Sequence, residues 1–282
     1  MGRFIIRLGI GLLFVIFGLI NYFGNVTENP ITGEQQRIQL SPKQEIVLGR
    51  QSRDRMVEQY NGLSPNSTLQ AYVDRVGNRI VRNSIAANSS YLFEFHLLQD
   101  KRTVNAFALP GGQIFITAGL LKLLNSEAQL AGVLAHEIAH VIARHGAEHL
   151  AKQQLGAAIV HAVSIAASDS PENGRNAAIL ARAINQMVNL KYGRDDELES
   201  DRLGFRFMLE AGYNPEGIME LMRILDRASK GQKPPEFLST HPDPGNRISK
   251  LLAITEQNFP NGIPERLEEG RQRFAQIVKP RL

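Results

Sequence analysis

The chain has 282 residues, 43% of them hydrophobic and 21% charged, with a formal net charge of +4. That is enough apolar chain for one large core and far from the composition of a disordered polyelectrolyte. The positive excess carries no basic run interleaved with aromatics, so no nucleic-acid partner is expected, and the absence of cysteine removes disulfides, thiolate zinc sites, a cysteine nucleophile and a lipid anchor on an N-terminal cysteine.

Arg3 and Arg7 introduce an apolar run from Leu8 to Phe23, broken only by Asn21. With Phe4 to Ile6 included, the stretch reaches about the 20 residues a bilayer needs, and Arg7 can snorkel. "INYFGNVTENP" offers no small-x-small cleavage site in the right place. Residues 1–24 are therefore expected to form an uncleaved signal anchor, a transmembrane helix with its N-terminus in the cytoplasm and the rest of the chain outside it. The alternative is secretion after signal-peptide cleavage. Residues 25–40, with turn signals at Asn25, Asn29-Pro30 and Gly33, read as a linker. Residues 41–282 read as one domain.

In that domain "SPKQ" (Ser41 to Gln44) has the form of a capping box with proline at the first helical position. It predicts a helix from Pro42 to about Tyr60, followed by a second from Thr68 to about Val81. "YLFEFHLLQ" (91–99), "TVNAFAL" (103–109) and "QIFITAG" (113–119) read as strands, the last two joined by a Pro110–Gly112 turn. Ser126 to Gln129 opens a helix expected to run through His140 to about Leu150, braced by Arg144 and His145. "LGAAIVHAVSIAA" (155–167) is too short to span a membrane and reads as a hairpin or interfacial helix. Helices are expected at about 175–190, 194–211 and 216–229, the second of them stopped by Gly212 and Asn214-Pro215. A proline-rich loop at 230–246 precedes a final pair at about 247–255 and 265–278. Strands in one cluster and helices elsewhere give an α+β, mostly helical class.

The chemistry centres on "AHEIAHVIARH" (135–145), which contains H-E-x-x-H. Residues four apart share one helix face, so His136 and His140 can aim two imidazoles at one metal ion. Glu137, turned by about 100°, lies near a water on that metal. By chance the motif turns up in roughly one chain per hundred of this length. Its apolar surroundings, Leu130, Val133, Leu134, Ile138, Val141 and Ile142, argue for a buried helix whose polar groups need partners. A zinc site needs a third ligand. The metzincin spacing is excluded, because Ala143 and Gly146 stand where glycine and histidine would be. "RDDELESDRLG" (194–204) supplies Glu197, with Asp201 one turn on and able to fix the tautomer of a ligand histidine; with Asp195, Asp196 and Glu199 beside them, the stretch by itself also reads as a solvated acidic face. His96, His149 and His161 read as surface or satisfied polar groups.

These features resemble the gluzincin metallopeptidases that include the CAAX prenyl protease, HtpX, Oma-type and BepA-type proteins. The shared pattern is H-E-x-x-H with a downstream E-x-x-x-D, here His136, Glu137, His140, Glu197 and Asp201. The likeness extends through "NAFALPGGQIFITAGLL", "HVIARH" and "STHPDPGNRI" over most of residues 29–250, with Ser200 standing where alanine is usual. One apolar span and no tetratricopeptide repeats point to the periplasmic BepA/YcaL-like branch. The resemblance implies a zincin-like domain with one Zn2+ per chain, held by His136, His140 and Glu197, with Glu137 as the general base. It implies polypeptide substrates, unfolded or misassembled extracytoplasmic proteins, and a bacterial inner-membrane location with the catalytic domain in the periplasm. It also implies that Gly112, Gln113, Ile114, Phe115 and Ile116 form a substrate-binding edge strand beside the active-site helix, and that His241 sits over the zinc as a fourth ligand or latch. A histidine in a proline-rich loop is by itself more often a surface group. His241 and Arg247 are the candidates for an oxyanion partner. A client-binding module with a closed zinc site and a purely structural zinc protein are the rival classes, and neither needs a base at Glu137. Nothing in the sequence sets the oligomeric state.

Overall fold

A computed structural model describes residues 2–24, 26–38, 40–153, 191–230, 234–242 and 244–282. The chain divides into two compact units, Met1–Ser41 with Arg144–Leu190, and Pro42–Ala143 with Lys191–Leu282.

In the first unit, α1 (Gly2–Gly24) occupies the segment expected as an anchor. It leaves Ile5, Leu13, Phe17 and Ile20 exposed. Among the described residues no helix is long and apolar enough to cross a membrane. The stretch read as linker holds a small antiparallel hairpin, β1 (Val26–Glu28) paired with β2 (Gln35–Arg37). Asn29 shapes its turn, accepting on Oδ1 from the N–H groups of Ile31 and Thr32. Two three-residue strands are too short to show a period. Residues 145–153 are helical. The segment 155–167, with His161, and the helix expected at 175–190 lie outside the described residues.

The second unit begins with α2 (Pro42–Gln59) and α3 (Ser67–Asn83). Asn66 caps α3, its Oδ1 accepting from Leu69 N–H at 3.1 Å. The sheet contains β3 (Glu94–Leu98), β4 (Ala106–Leu109) and β5 (Gln113–Thr117). Their spatial order is β3-β5-β4, with β3 parallel and β4 antiparallel to β5. β5 stops at Thr117 rather than Gly119, because the Thr117 hydroxyl caps α4 (Ala118–Leu123) by accepting from Leu120 N–H. The remaining helices are α5 (Glu127–Ile142), α6 (Arg194–Glu210), α7 (Glu216–Ser229), α8 (Phe237–Thr240), α9 (Pro244–Asn258) and α10 (Arg271–Ile277). α8 lies inside the stretch read as a proline-rich loop.

Two expectations need correction. Gln113–Thr117 is the central strand, paired on both sides and buried at every position, so neither Gly112 nor the run from Gln113 to Ile116 offers a free edge. Strand order comes from pairing between distant segments, which alternation does not encode. The edge strand on the side of α5 is β4. The helix expected to run to about Leu150, α5, also ends short of it, at Ile142. Arg144 adopts φ +57°, a left-handed conformation rare for a residue with a side chain. Its guanidinium donates to the Leu40 carbonyl at 2.6 Å.

α5 is buried at every residue and packs against α6, α7, α3 and β4. Ser126 caps it, accepting from Gln129 N–H at 3.1 Å, while the Gln129 side chain accepts from Asn125 N–H. α7 approaches so closely that a Cβ at Gly217 would stand 2.4 Å from the Ala128 carbonyl oxygen. Backbone cannot step aside cheaply, so Gly217→Ala is expected to destabilise the unit by about 1–3 kcal/mol. Urea unfolding beside the parent would show it, and an unchanged midpoint would mean that the helices can separate.

Candidate active site

Three segments build the site: one turn of α5 with His136 and His140, one turn of α6 with Glu197 and Asp201, and the residue after α8, His241. α6 comes close enough because residue 204 is glycine. A Cβ there would lie 3.2 Å from the His136 backbone nitrogen, tighter than ordinary contact.

Four side-chain atoms converge. His136 Nε2 lies 3.0 Å from His140 Nε2 and 3.3 Å from His241 Nδ1. Glu197 Oε1 lies 2.9 Å from His241 Nδ1 and 3.5 Å from His140 Nε2. These three nitrogens and one carboxylate oxygen lie within 4.8 Å of one another, all from buried residues. Zinc at about 2.0–2.1 Å from each ligand of a tetrahedron sets those ligands about 3.3 Å apart, and the four distances above, 2.9–3.5 Å, bracket that value. The donor set, imidazole with one carboxylate and no thiolate, is also one zinc accepts.

The supporting shell fixes protons and charge. His136 Nδ1 faces Asp201 Oδ1 at 3.0 Å, so the ring donates there and turns Nε2 toward the cluster. Arg247 donates to both Asp201 oxygens, each at 2.7 Å, and pairs with Glu197 Oε2 at 2.5 Å. Its guanidinium is thus committed to carboxylates behind the cluster, and the geometry does not support an oxyanion role for it. Burial opposes ionisation of Glu197 and Asp201, but the charge of Arg247, joined for Glu197 by His241, outweighs it and holds both below the usual carboxylate range. Burial and Arg247 depress His136, yet its bonds to Asp201 and Glu197 prevail and push it up to about 9. The cluster favours positive charge, as a cation site should.

Glu137 is fully buried, and neither carboxylate oxygen has a hydrogen-bond partner. Burial pushes its carboxyl up, against the pull of His241 and His136. His241 Nε2 is likewise unsatisfied and lies 3.6 Å from Glu137 Oε1. Orphaned buried polar atoms are rare and mark a place for a group or a function. All five residues of the H-E-x-x-H and E-x-x-x-D pattern meet in one place, together with His241. No motif singles out Tyr192, stacked on His140 at 3.9 Å between ring centroids, or Phe237, stacked on His241 at 4.3 Å. A lone aromatic before an acidic helix was the only signal for Tyr192. His96 bonds Gln113 at 2.8 Å, a satisfied polar contact as expected.

The profile of Peptidase family M48 matches residues 67–255, more than half of the chain. The chain belongs to peptidase family M48. The four-residue cluster suits one zinc ion, the metal expected of a metallopeptidase of this family. Among its relatives, it is 30% identical to the beta-barrel assembly-enhancing protease of Escherichia coli (strain K12) over 82% of this chain and 48% of that protein. It is 33% identical to the putative beta-barrel assembly-enhancing protease of Vibrio cholerae over 86% of this chain and 50% of that one. It is 32% identical to the mitochondrial metalloendopeptidase OMA1 of Schizosaccharomyces pombe over 83% and 68%. The chain spans about half the length of the assembly-enhancing proteases it matches.

Proposed function

We propose that this M48 chain is a membrane-anchored zinc endopeptidase, resting in a latent form, that hydrolyses unfolded or misassembled proteins outside the cytoplasm. The observation that carries the reading is the convergence of His136, His140 and Glu197 beside Glu137, a buried carboxylate with no hydrogen-bond partner. Bound zinc supplies a Lewis acid and acidifies water at the site. Glu137 takes the proton of the attacking water and returns it to the leaving amine. Asp201 holds the His136 tautomer, and Arg247 offsets the two carboxylates around it.

Substrate would add to β4. The Thr117 N–H donates to the Asn105 carbonyl at 3.0 Å, and alternation along the antiparallel ladder then turns the backbone groups of Ala106 and Ala108 away from β5. An extended peptide would pair with that edge through its backbone, which tolerates many sequences, once the cover that buries Ala106 to Leu109 here has moved aside. The anchoring part of the reading rests on the apolar run of α1 and its exposed side chains. The relatives named for β-barrel assembly support envelope substrates.

His241 favours the latent form, because it fills the position that a hydrolytic site keeps open. The test is casein cleavage by the full-length, zinc-loaded protein in detergent. His241→Ala is expected to cut faster than the parent, and a chelator to stop both. If both proteins are folded and zinc-loaded yet leave casein intact, a client-binding role takes precedence over hydrolysis.

A further inference from the structure

The segment that carries His241 is tied down at several points. Phe237 N–H donates to the Val104 carbonyl at 3.1 Å, and Tyr192 N–H to the Thr240 carbonyl at 3.0 Å. The side-chain tie is Glu236. One of its oxygens, Oε1, accepts from the Tyr60 hydroxyl at 2.5 Å and from Asn105 Nδ2 at 2.9 Å, and Asn105 Nδ2 also donates to the Tyr60 oxygen at 3.1 Å. Tyr60 is buried and tilted against Phe107, and Asn105 is buried at the entry to β4. Glu236 itself is exposed and lines a cavity of ≈ 700 Å³ bordered by Asp100, Arg102, Thr103, Pro234 and Pro235. A carboxylate on an exposed residue, gripped by two buried donors, has open space to swing into once the grip fails.

We infer that Glu236, Tyr60 and Asn105 form a clasp that holds His241 in the metal cluster. The inference rests on the latent reading above. Glu236 opens α8, one short turn before His241, and the buried Phe237 between them stacks on the His241 ring. Displacing Glu236 therefore moves the base of the segment that delivers the fourth ligand. Asn105 leads directly into Ala106, so the clasp also joins that segment to the strand where a peptide would add. Glu236 acts as a positioning residue and touches neither metal nor substrate.

The test uses the full-length protein with Glu236→Ala, Tyr60→Phe, His241→Ala, and the double variant Glu236→Ala/His241→Ala. Two quantities are read: casein cleavage with zinc, and the visible absorption of the cobalt-substituted protein, which reports whether the fourth position is held by a protein ligand. Loss of a charge-assisted hydrogen bond shifts a two-state equilibrium by about tenfold. Glu236→Ala is expected to raise cleavage by about that factor, and Tyr60→Phe, which keeps the ring packed, by less. Both cobalt spectra should move toward that of His241→Ala, and the double variant should cut no faster than His241→Ala alone. Spectra of Glu236→Ala and Tyr60→Phe identical to the parent would overturn the clasp. So would an increase in the double variant beyond His241→Ala, since the effect would then not pass through His241. If no variant cuts casein but the spectra shift as expected, the clasp stands and the peptidase reading fails instead.

Discussion

Glu137→Gln is expected to lower peptide hydrolysis by about 10²–10⁴-fold, the weight of a positioned general base, while the protein keeps its zinc and becomes no less stable. Both halves follow from one observation. The carboxylate is fully buried with no hydrogen-bond partner on either oxygen, an arrangement that costs folding energy and persists where it serves chemistry. Glutamine fills the same volume without a charge to desolvate, so urea or thermal unfolding should show equal or greater stability in the variant. Activity is best compared in the His241→Ala background, where the proposed latch would not limit the rate. A variant that cuts normally would remove Glu137 from the mechanism. One that loses both activity and zinc would make it a structural support of the metal site. A binding module or a structural zinc protein predicts no functional change.

The parts of the site that the sequence made legible are those set by local geometry. His136 and His140 lie one helical turn apart, and so do Glu197 and Asp201, so each pair shares a face once its helix is recognised. That recognition needed only patterning and caps: α7 runs over the expected 216–229, and α2 begins at Pro42 as "SPKQ" suggests. What was hidden depends on distant partners. "QIFIT" reads as a strand, but its central place comes from pairing with β3 and β4. Arg247 looks like an available cation, and only the fold shows its donors directed at Asp201 and Glu197. The grip on Glu236 comes from residues 176 and 131 positions away. The break of α5 after Ile142 has no glycine to announce it, because Arg144 takes the left-handed turn itself.

Glu127→Gln is expected to be the most destabilising of the substitutions considered, by about 3 kcal/mol, without touching the metal cluster. Glu127 sits in the first turn of α5, and its buried carboxylate gathers donors from several other elements. Tyr72 of α3 donates at 2.6 Å, Tyr213, just after α6, at 3.0 Å, and Arg273 of α10 through two nitrogens at 2.7 Å each. Arg75 adds a longer ion pair at 3.8 Å. Beyond them Arg79 and Arg273 share Glu268. One carboxylate thus ties the start of the active-site helix to α3, α10 and the turn after α6. Breaking a buried pair costs about 3–5 kcal/mol, and the lower end applies because the Arg273 side chain is 42% exposed. For a unit of this size that corresponds to a melting point lower by about 6–12 °C. Burial raises the Glu127 carboxyl, but its bonds from Arg273, Tyr72 and Tyr213 outweigh that and hold it below 4.5. A carboxyl depressed by folding stabilises the protein above its unfolded value and loses that contribution as pH falls toward the folded one. The gap between parent and Glu127→Gln should therefore be full at pH 7 and narrow below about pH 4.5, as followed by urea unfolding. Any loss of metal at acid pH would be common to both proteins, so their difference isolates Glu127. A gap of the same size at pH 7 and pH 3.5 would show that shape, rather than charge, holds this end of the helix.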